Sequence, residues 1–237
     1  MPLRDAFIDA LKDYLFLLEK EYPQKATLKL VSDRYRLNTQ ERSMLYRGVV
    51  TEKQKRARRK NTTDQLPTEG TLYLDGFNVL RTIASYLLGR PVFVAMDSFV
   101  RDASELHGKP LKTEWRLKAF DLVLKLIGNR PLTLHIWLDA PVSKSGETAQ
   151  LLNESLKKIG MNGLAETVAS ADHELKQVTK GMVATADSAI IESAHVPVID
   201  LAQMVIRHFF SPDLVDLGKL VNDHAYNNRS NQPSDFS

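Results

Sequence analysis

Aspartates stand at the ends of several short apolar segments of this 237-residue chain. Three predicted strands end in an aspartate, and a fourth aspartate begins the helix after another strand: Asp75, Asp139, Asp187 and, at the helix, Asp172. Carboxylates gathered at one edge of a sheet repel one another unless a cation offsets their charge. Hard divalent ions such as Mg²⁺ or Mn²⁺ prefer oxygen ligands. The aspartates therefore predict a metal site suited to the hydrolysis of a phosphodiester.

Alternating strands and helices must position these acids. Over residues 71–212, apolar segments predict strands at 71–75, 92–97, 132–139, 164–168, 182–187 and 196–199. Helical patterns fall between and after them, at 113–127, 145–159, 171–178, 188–194 and 201–210. This alternation indicates an α/β domain with a mostly parallel sheet covered on both faces. Ligands bind such sheets beyond the carboxyl ends of the strands, so we expect the aspartates to meet there, together with Asp97 at the end of strand 92–97.

Two polar segments, 99–114 and 141–147, should flank the acids on the carboxyl side of the sheet. Their basic residues are candidates for binding phosphates: Arg101, Lys109 and Lys144. His107 is a candidate proton shuttle. Further acids are candidates to complete a metal shell: Asp97, Asp102 and Glu147.

The first 60 residues predict a small helical domain. Apolar residues from Phe7 to Leu18 recur at helical spacing, and a second helix is expected at Ala26–Tyr35. Asn38 with Glu41 three positions later indicates a capping box at the start of a third helix. Helices joined by a short turn are typical of a helix-turn-helix, although many small bundles share that pattern.

A basic run follows these helices. It consists of Lys53, Lys55, Arg56, Arg58, Arg59 and Lys60. Residues 1–66 contain 15 Lys and Arg against 9 Asp and Glu, a charge of +6, which leaves −3 for the remainder of a chain whose net charge is +3. A cationic surface of this kind favours phosphate contacts, so we predict nucleic acid as the partner of this domain. A solvated helix end is the plainer alternative. Residues 61–70 are interpreted as a linker and 213–237 as a partly disordered tail.

Composition excludes several classes of protein. The chain has no cysteine, which excludes disulfide scaffolds, thiolate metal sites and cysteine nucleophiles. No apolar run approaches about 20 residues, so we expect no membrane span and a cytoplasmic protein. The sequence has neither a phosphate-binding P-loop nor a dinucleotide-binding glycine motif.

Four segments resemble a known nuclease family. Leu74–Leu80 (Leu-Asp-Gly-Phe-Asn-Val-Leu) is similar to the opening motif of the NYN branch of PIN-like nuclease domains. Trp137–Ala140, Ser170–Asp172 and Thr185–Ser188 resemble its later acidic positions, in the family's order. The resemblance implies a three-layer α/β/α fold and a Mg²⁺ or Mn²⁺ site made by Asp75, Asp139, Asp172 and Asp187, with Asn78 in the site. It also leaves a homodimer open. The entire chain resembles the domain of unknown function 434 group, which pairs a basic helical domain with a PIN-like one.

Two functions stay open from the sequence. The first is a metal-dependent endoribonuclease whose basic domain binds the nucleic acid, with RNA favoured over DNA. The second is an RNA- or ribosome-binding protein whose PIN-like domain is inactive. An aspartyl-nucleophile phosphatase is disfavoured, because Phe77 stands where that chemistry wants a second acid two residues after Asp75.

Overall fold

Four helices form the N-terminal part of the computed structural model, which describes residues 4–103 and 111–222. They are α1 (Asp5–Glu19), α2 (Gln24–Arg34), α3 (Thr39–Gly48) and α4 (Glu52–Asn61). The predicted capping box at α3 is confirmed, because Asn38 Oδ1 accepts from Glu41 N and the Glu41 carboxylate accepts from Asn38 N, both at 2.9 Å. A second capping box, Thr51 with Gln54, begins the basic helix α4. The candidates His107 and Lys109 lie outside the described residues.

A six-stranded parallel sheet forms the centre of the rest of the chain. Its strands are β1 (Thr62–Thr63), β2 (Gly70–Asp75), β5 (Leu132–Asp139), β6 (Gly163–Val168), β7 (Met182–Ala184) and β8 (Val198–Ile199). They are ordered β1-β8-β7-β2-β5-β6, and every pairing is parallel. The prediction of an α/β domain with a mostly parallel sheet is confirmed.

Helices cover both faces of this sheet. They are α5 (Gly76–Leu87), α6 (Thr113–Ile127), α7 (Ser145–Lys158), α8 (Ala171–Lys176), α9 (Ser188–Ser193) and α10 (Leu201–Phe210). Alternate residues of the strands serve different cores: Leu72 and Leu74 of β2 pack with α5, α6, α7 and α10, whereas Tyr73 packs on the side of α8 and α9. This is the alternation that a strand buried on both faces requires. Helix α5 was not among the helices predicted.

A second, three-stranded sheet corrects one prediction. It is formed by β3 (Val92–Val94), β4 (Val100–Asp102) and β9 (Val215–Asp216), in the order β4-β3-β9. Segment 92–97 was expected in the main sheet, but β3 pairs antiparallel with β4 and parallel with β9 instead. Asp97 therefore does not lie at the carboxyl edge of the main sheet.

The N-terminal helices pack directly against this second sheet. Phe7 and Leu45 share one apolar core with Phe93 of β3 and Leu217, which follows β9. The approach is close at Gly48, where an added Cβ would lie 2.5 Å from both Phe93 Cε2 and Leu217 Cδ1. Only a residue without a side chain fits at the end of α3 in this arrangement.

The segment interpreted as a linker contributes to the main sheet. Thr62 and Thr63 form β1, which pairs with Val198 and Ile199 at one edge. Residues 215–217, interpreted as part of the tail, are likewise built into the second sheet and its core. Within the described residues, no helix has both the length and the apolar character needed to cross a membrane.

Candidate functional site

A cavity of about 570 Å³ opens at the carboxyl ends of the main-sheet strands. All five predicted catalytic residues line it: Asp75, Asn78, Asp139, Asp172 and Asp187. The strand-end placement therefore brings these residues to one cavity.

Asp75, Asp139 and Asp187 are each fixed by backbone N–H groups at the start of a helix. Asp75 ends β2 and caps α5, accepting from Asn78 N at 3.3 Å. Asp187 follows β7 and caps α9, where its Oδ1 accepts from Ala189 N at 2.8 Å. Asp139 ends β5, and its Oδ1 accepts from the backbone at the start of α8, Ala171 N, at 2.9 Å. Capping uses one oxygen of Asp139 and of Asp187, so the second oxygen of each is left without a hydrogen bond inside the described residues.

Asp75 is the most enclosed of these acids. It is buried, and burial raises its pKa to about 7 in spite of the hydrogen bonds from Thr185 and from the backbone of Asn78, which act in the opposite direction. The negative charges of Asp172 and Asp187 raise the pKa of Asp75 further. A carboxyl group in this setting is only partly ionised near neutral pH unless a cation compensates its charge.

Thr185 and Asn78 connect the two sides of the site. Thr185 Oγ1 donates to Asp75 Oδ2 at 2.8 Å and accepts from Asp187 N at 3.0 Å. Asn78 Oδ1 accepts from Ala186 N at 2.9 Å. The residue triplet Thr185-Ala186-Asp187 carried the sequence resemblance, but the hydroxyl's contact with Asp75 is visible only in the structure.

Asp172 is half-buried in the first turn of α8. Burial raises its pKa, and so do the charges of Asp187 and Asp139, while Lys176 lowers it. Its carboxylate makes no hydrogen bond within the described part of the chain.

The donor set suits a hard divalent ion in its chemistry, because it consists of carboxylate and amide oxygens. The side chains are, however, farther apart than in a formed metal site. Among residues 4–103 and 111–222, no three His, Asp or Glu side chains lie close enough together to hold a metal ion. Residues that fit such an ion by chemistry would thus have to draw together around it.

Two predicted phosphate-binding arginines are buried in ion pairs instead. Arg101 lies in β4 rather than in a solvated loop, is 2% exposed, and binds both oxygens of Asp97 at 2.7 and 2.8 Å. Arg58, 4% exposed, binds Asp97 at 2.5 Å and Glu192 at 2.7 Å. Burial acts to raise the pKa of Asp97, but the two guanidinium groups outweigh it and hold the pKa below its usual value. Asp97 is therefore neutralised away from the four aspartates, and the expectation that it joins them is wrong.

Arg101 also holds the backbone beside the site. Its Nε donates to Ala186 O at 3.0 Å. The N–H of the same residue, Ala186, donates to Asn78 Oδ1. The Ala186 backbone is thus fixed from both sides, directly before Asp187.

The other predicted cations remain at the surface. Helix α4 exposes Lys53, Arg56, Arg59 and Lys60, while Lys55 is half-buried and pairs with Glu52 at 3.4 Å. Lys144 pairs with Glu147 at 3.1 Å, and neither residue is among those that line the cavity. Asp102 does line it, with Arg47 at 3.2 Å.

The structure adds residues that the sequence did not single out. Gln24, Tyr46 and Gln54 of the N-terminal helices line the same cavity as the aspartates. Arg81 of α5 also lines it, one helical turn after Asn78. The seven-residue motif Leu74–Leu80 ends before Arg81. A helical projection continued past Leu80 was the signal that could have found it.

Two family models match the chain. One, described as "Protein of unknown function (DUF434)", matches residues 6–61, and the other, "Domain of unknown function (DUF5616)", matches residues 65–204, more than half of the chain. The chain belongs to the DUF5616 family. An uncharacterized protein of Methanocaldococcus jannaschii is 31% identical over 201 residues, which are 84% of this chain and 96% of that protein. No solved structure matches the chain significantly.

These matches confirm the resemblance to the DUF434 group for the N-terminal helices. The α/β region is matched by DUF5616, a family that the sequence motifs did not suggest. The likeness of that region to PIN-like nucleases stays a prediction.

Proposed function

We propose that this protein is a metal-dependent nuclease that hydrolyses phosphodiester bonds, with RNA as the preferred substrate. The observation that carries the proposal is the convergence of Asp75, Asp139, Asp172 and Asp187, together with Asn78, on one cavity beside a basic helix. Binding to helix starts uses one oxygen of Asp139 and of Asp187, but several carboxylates around one cavity repel one another and together favour a cationic cofactor.

Mg²⁺ or Mn²⁺ would be held by the four aspartates, and when bound it would stabilise charge on the phosphate and lower the pKa of an attacking water. The free oxygens of Asp139 and Asp187 and one oxygen of Asp172 are the donors at hand, and the second oxygen of Asp172 stays available. Asp75 supplies its carboxylate at the floor of the cavity, where the Thr185 hydroxyl orients it.

The proton is taken up by this chain's own acids. Asp172 is half-buried, has a raised pKa and has no hydrogen bond within the described residues, so it is the carboxylate suited to accept a proton from water. Asn78 holds the backbone of Ala186 and thereby keeps Asp187 in place.

The N-terminal helices would bind the polynucleotide. Gln54 of α4 lines the cavity, and the same helix exposes Lys53, Arg56, Arg59 and Lys60. An RNA strand that crosses α4 can reach the aspartates. The affinity of the protein for this RNA should fall steeply with rising salt concentration.

The decisive test replaces two carboxylates by isosteric amides. Asp75→Asn and Asp187→Asn should each lower Mn²⁺-dependent cleavage of a mixed RNA pool by at least about a hundredfold, while RNA binding is retained. Asp121→Asn, on the exposed face of α6 and paired with Lys125, is the matched control and should cleave like the wild type. Unchanged cleavage in both site variants would refute the mechanism.

A second function is favoured by one observation, the wide spacing of the acids. In that case the protein binds RNA without cutting it. Binding by the wild type with no cleavage in Mg²⁺ or Mn²⁺, on both single-stranded and structured RNA, would select this alternative.

A further inference from the structure

Arg81 is an uncompensated cation in an acidic cavity. It is exposed on α5, lines the cavity together with the aspartates, and forms neither a hydrogen bond nor a salt bridge within residues 4–103 and 111–222. It lies three positions after Asn78, so both lie on one face of the helix. The side chain is thus directed along the same wall as a residue of the site.

A second arginine lies near Arg81. Arg116 of α6 is 4% exposed, and its Nη1 donates to Thr148 Oγ1 at 2.9 Å and to Ser143 O at 3.4 Å, both neutral acceptors. Its guanidinium stacks over the ring of Phe77, 4.7 Å from the centroid, and Phe77 lines the cavity. No carboxylate of the described residues lies within salt-bridge distance of Arg116.

The contrast with the other arginines of this region is the main argument. Arg47, Arg58 and Arg101 line the same cavity, and each has a carboxylate partner. Burial and the nearby charge of Arg81 lower the pKa of Arg116, against a smaller opposing effect of Glu147. Arg81 and Arg116 are therefore neighbouring cations without a paired acid. Arg81 lines the cavity, and Arg116 contacts Phe77, which also lines it.

We propose that Arg81, supported by Arg116 and Phe77, forms a phosphate subsite that binds the polynucleotide next to the aspartates. The inference rests on the proposed function for the identity of the ligand, a backbone or terminal phosphate of RNA. A guanidinium offers a planar pair of donors that match two phosphate oxygens. Arg81 is free to supply both, while Arg116 keeps the local potential positive from behind the ring of Phe77.

The test measures binding separately from cleavage. Affinity for a short single-stranded RNA, with and without a 5′-phosphate, is measured by fluorescence anisotropy in EDTA over a range of salt for the wild type, Arg81→Ala, Arg81→Lys and Arg90→Ala. Arg90 is an exposed arginine just beyond the opposite end of α5, so its variant is the matched control. A thermal-shift titration with inorganic phosphate follows the same four proteins.

Arg81→Ala should lose about tenfold in affinity at low salt and reduce the slope of log affinity against log salt by about one. Arg81→Lys should recover part of the loss, and Arg90→Ala should match the wild type. Equal losses on both RNAs assign the subsite to an internal phosphate, and a loss confined to the 5′-phosphorylated RNA assigns it to a chain end.

If the wild type binds no RNA but is stabilised by inorganic phosphate through Arg81, the subsite stands and the proposed function fails. If Arg81→Ala equals Arg90→Ala with RNA and with phosphate, the subsite is overturned, whatever the outcome for Asp75→Asn.

Discussion

The hydroxyl of Thr185 donates to Asp75 and accepts from the backbone of Asp187, so one side chain sets the relation between two of the candidate ligands. Its donated hydrogen bond favours the ionised form of Asp75 and lowers that group's pKa, against the larger effect of burial. The residue therefore controls at which pH Asp75 becomes available to a cation.

Thr185→Val removes this hydrogen bond at nearly constant volume. The pKa of Asp75 should then rise further above about 7. Because the proton competes with the ion, Mn²⁺ affinity increases with pH until Asp75 is ionised. We expect the midpoint of this increase to move to higher pH in the variant, with an affinity loss of about tenfold at neutral pH.

Calorimetric titration with Mn²⁺ across the pH range around 7 measures this shift. Thr185→Ser keeps the hydroxyl and should keep the wild-type midpoint. The role given to Thr185 would be wrong if Val and Ser variants showed the same pH profile.

At this scale, acids were easier to place from sequence than bases. Asp75, Asp139 and Asp187 end or follow strands of one parallel sheet, and chain geometry alone brings such positions together. Arg58 was misinterpreted because its partners, Asp97 and Glu192, are distant in sequence and meet it only in the complete fold. Arg101 pairs with Asp97 only four residues away, but the pair forms because 100–102 is a strand rather than part of a solvated loop.

Among the elements, β4 and α4 are joined to the site by one buried carboxylate. Asp97 binds Arg58 of α4 and Arg101 of β4, and Arg101 in turn binds Ala186 O beside Asp187. A substitution at Asp97 should therefore disturb α4, β4 and the backbone beside Asp187.

Asp97→Asn should destabilise the protein by about 3 to 5 kcal/mol, because it leaves two buried guanidinium groups without their shared anion. Glu114→Gln, which breaks an exposed pair with Lys118, is the control and should cost no more than about 1 kcal/mol. Urea unfolding of the two variants gives both values, and similar losses in both would contradict the importance of the buried cluster.

Long periodic elements followed their sequence patterns closely. Helices α6 and α10 and strand β5 have the bounds that the patterns predicted. The three residues of β3 are as apolar as a central strand. Their pairing with β4 and with β9, the latter more than a hundred residues away, assigns them to another sheet. Short apolar segments carry no information about such a partner.

For the whole molecule, the two parts of the chain that differ in net charge in the sequence both line one cavity. The N-terminal helices supply Gln24, Tyr46 and Gln54, and the α/β region supplies the aspartates. The shared core of Phe7, Leu45, Phe93 and Leu217 holds the walls together.

Removal of residues 213–237 tests this connection. The truncation deletes β9 and Leu217, which is fully buried, so we expect a loss of about 2 to 5 kcal/mol in the free energy of unfolding. The matched truncation, removal of 223–237, keeps every described residue. Equal stabilities of the two truncated proteins, measured by urea unfolding, would show that Leu217 does not hold the helices in place.

Leu217 also has a consequence for the order in which the protein is made. The first helices leave the ribosome early, yet the residue that fills the space beside Gly48 is added only after some two hundred others. Until then, Phe7 and Leu45 lack part of their final neighbours. The apolar surface of the newly made helices therefore stays partly exposed until the segment around Leu217 has been synthesised. Both walls of the cavity should thus reach their final positions only after Leu217 has been synthesised.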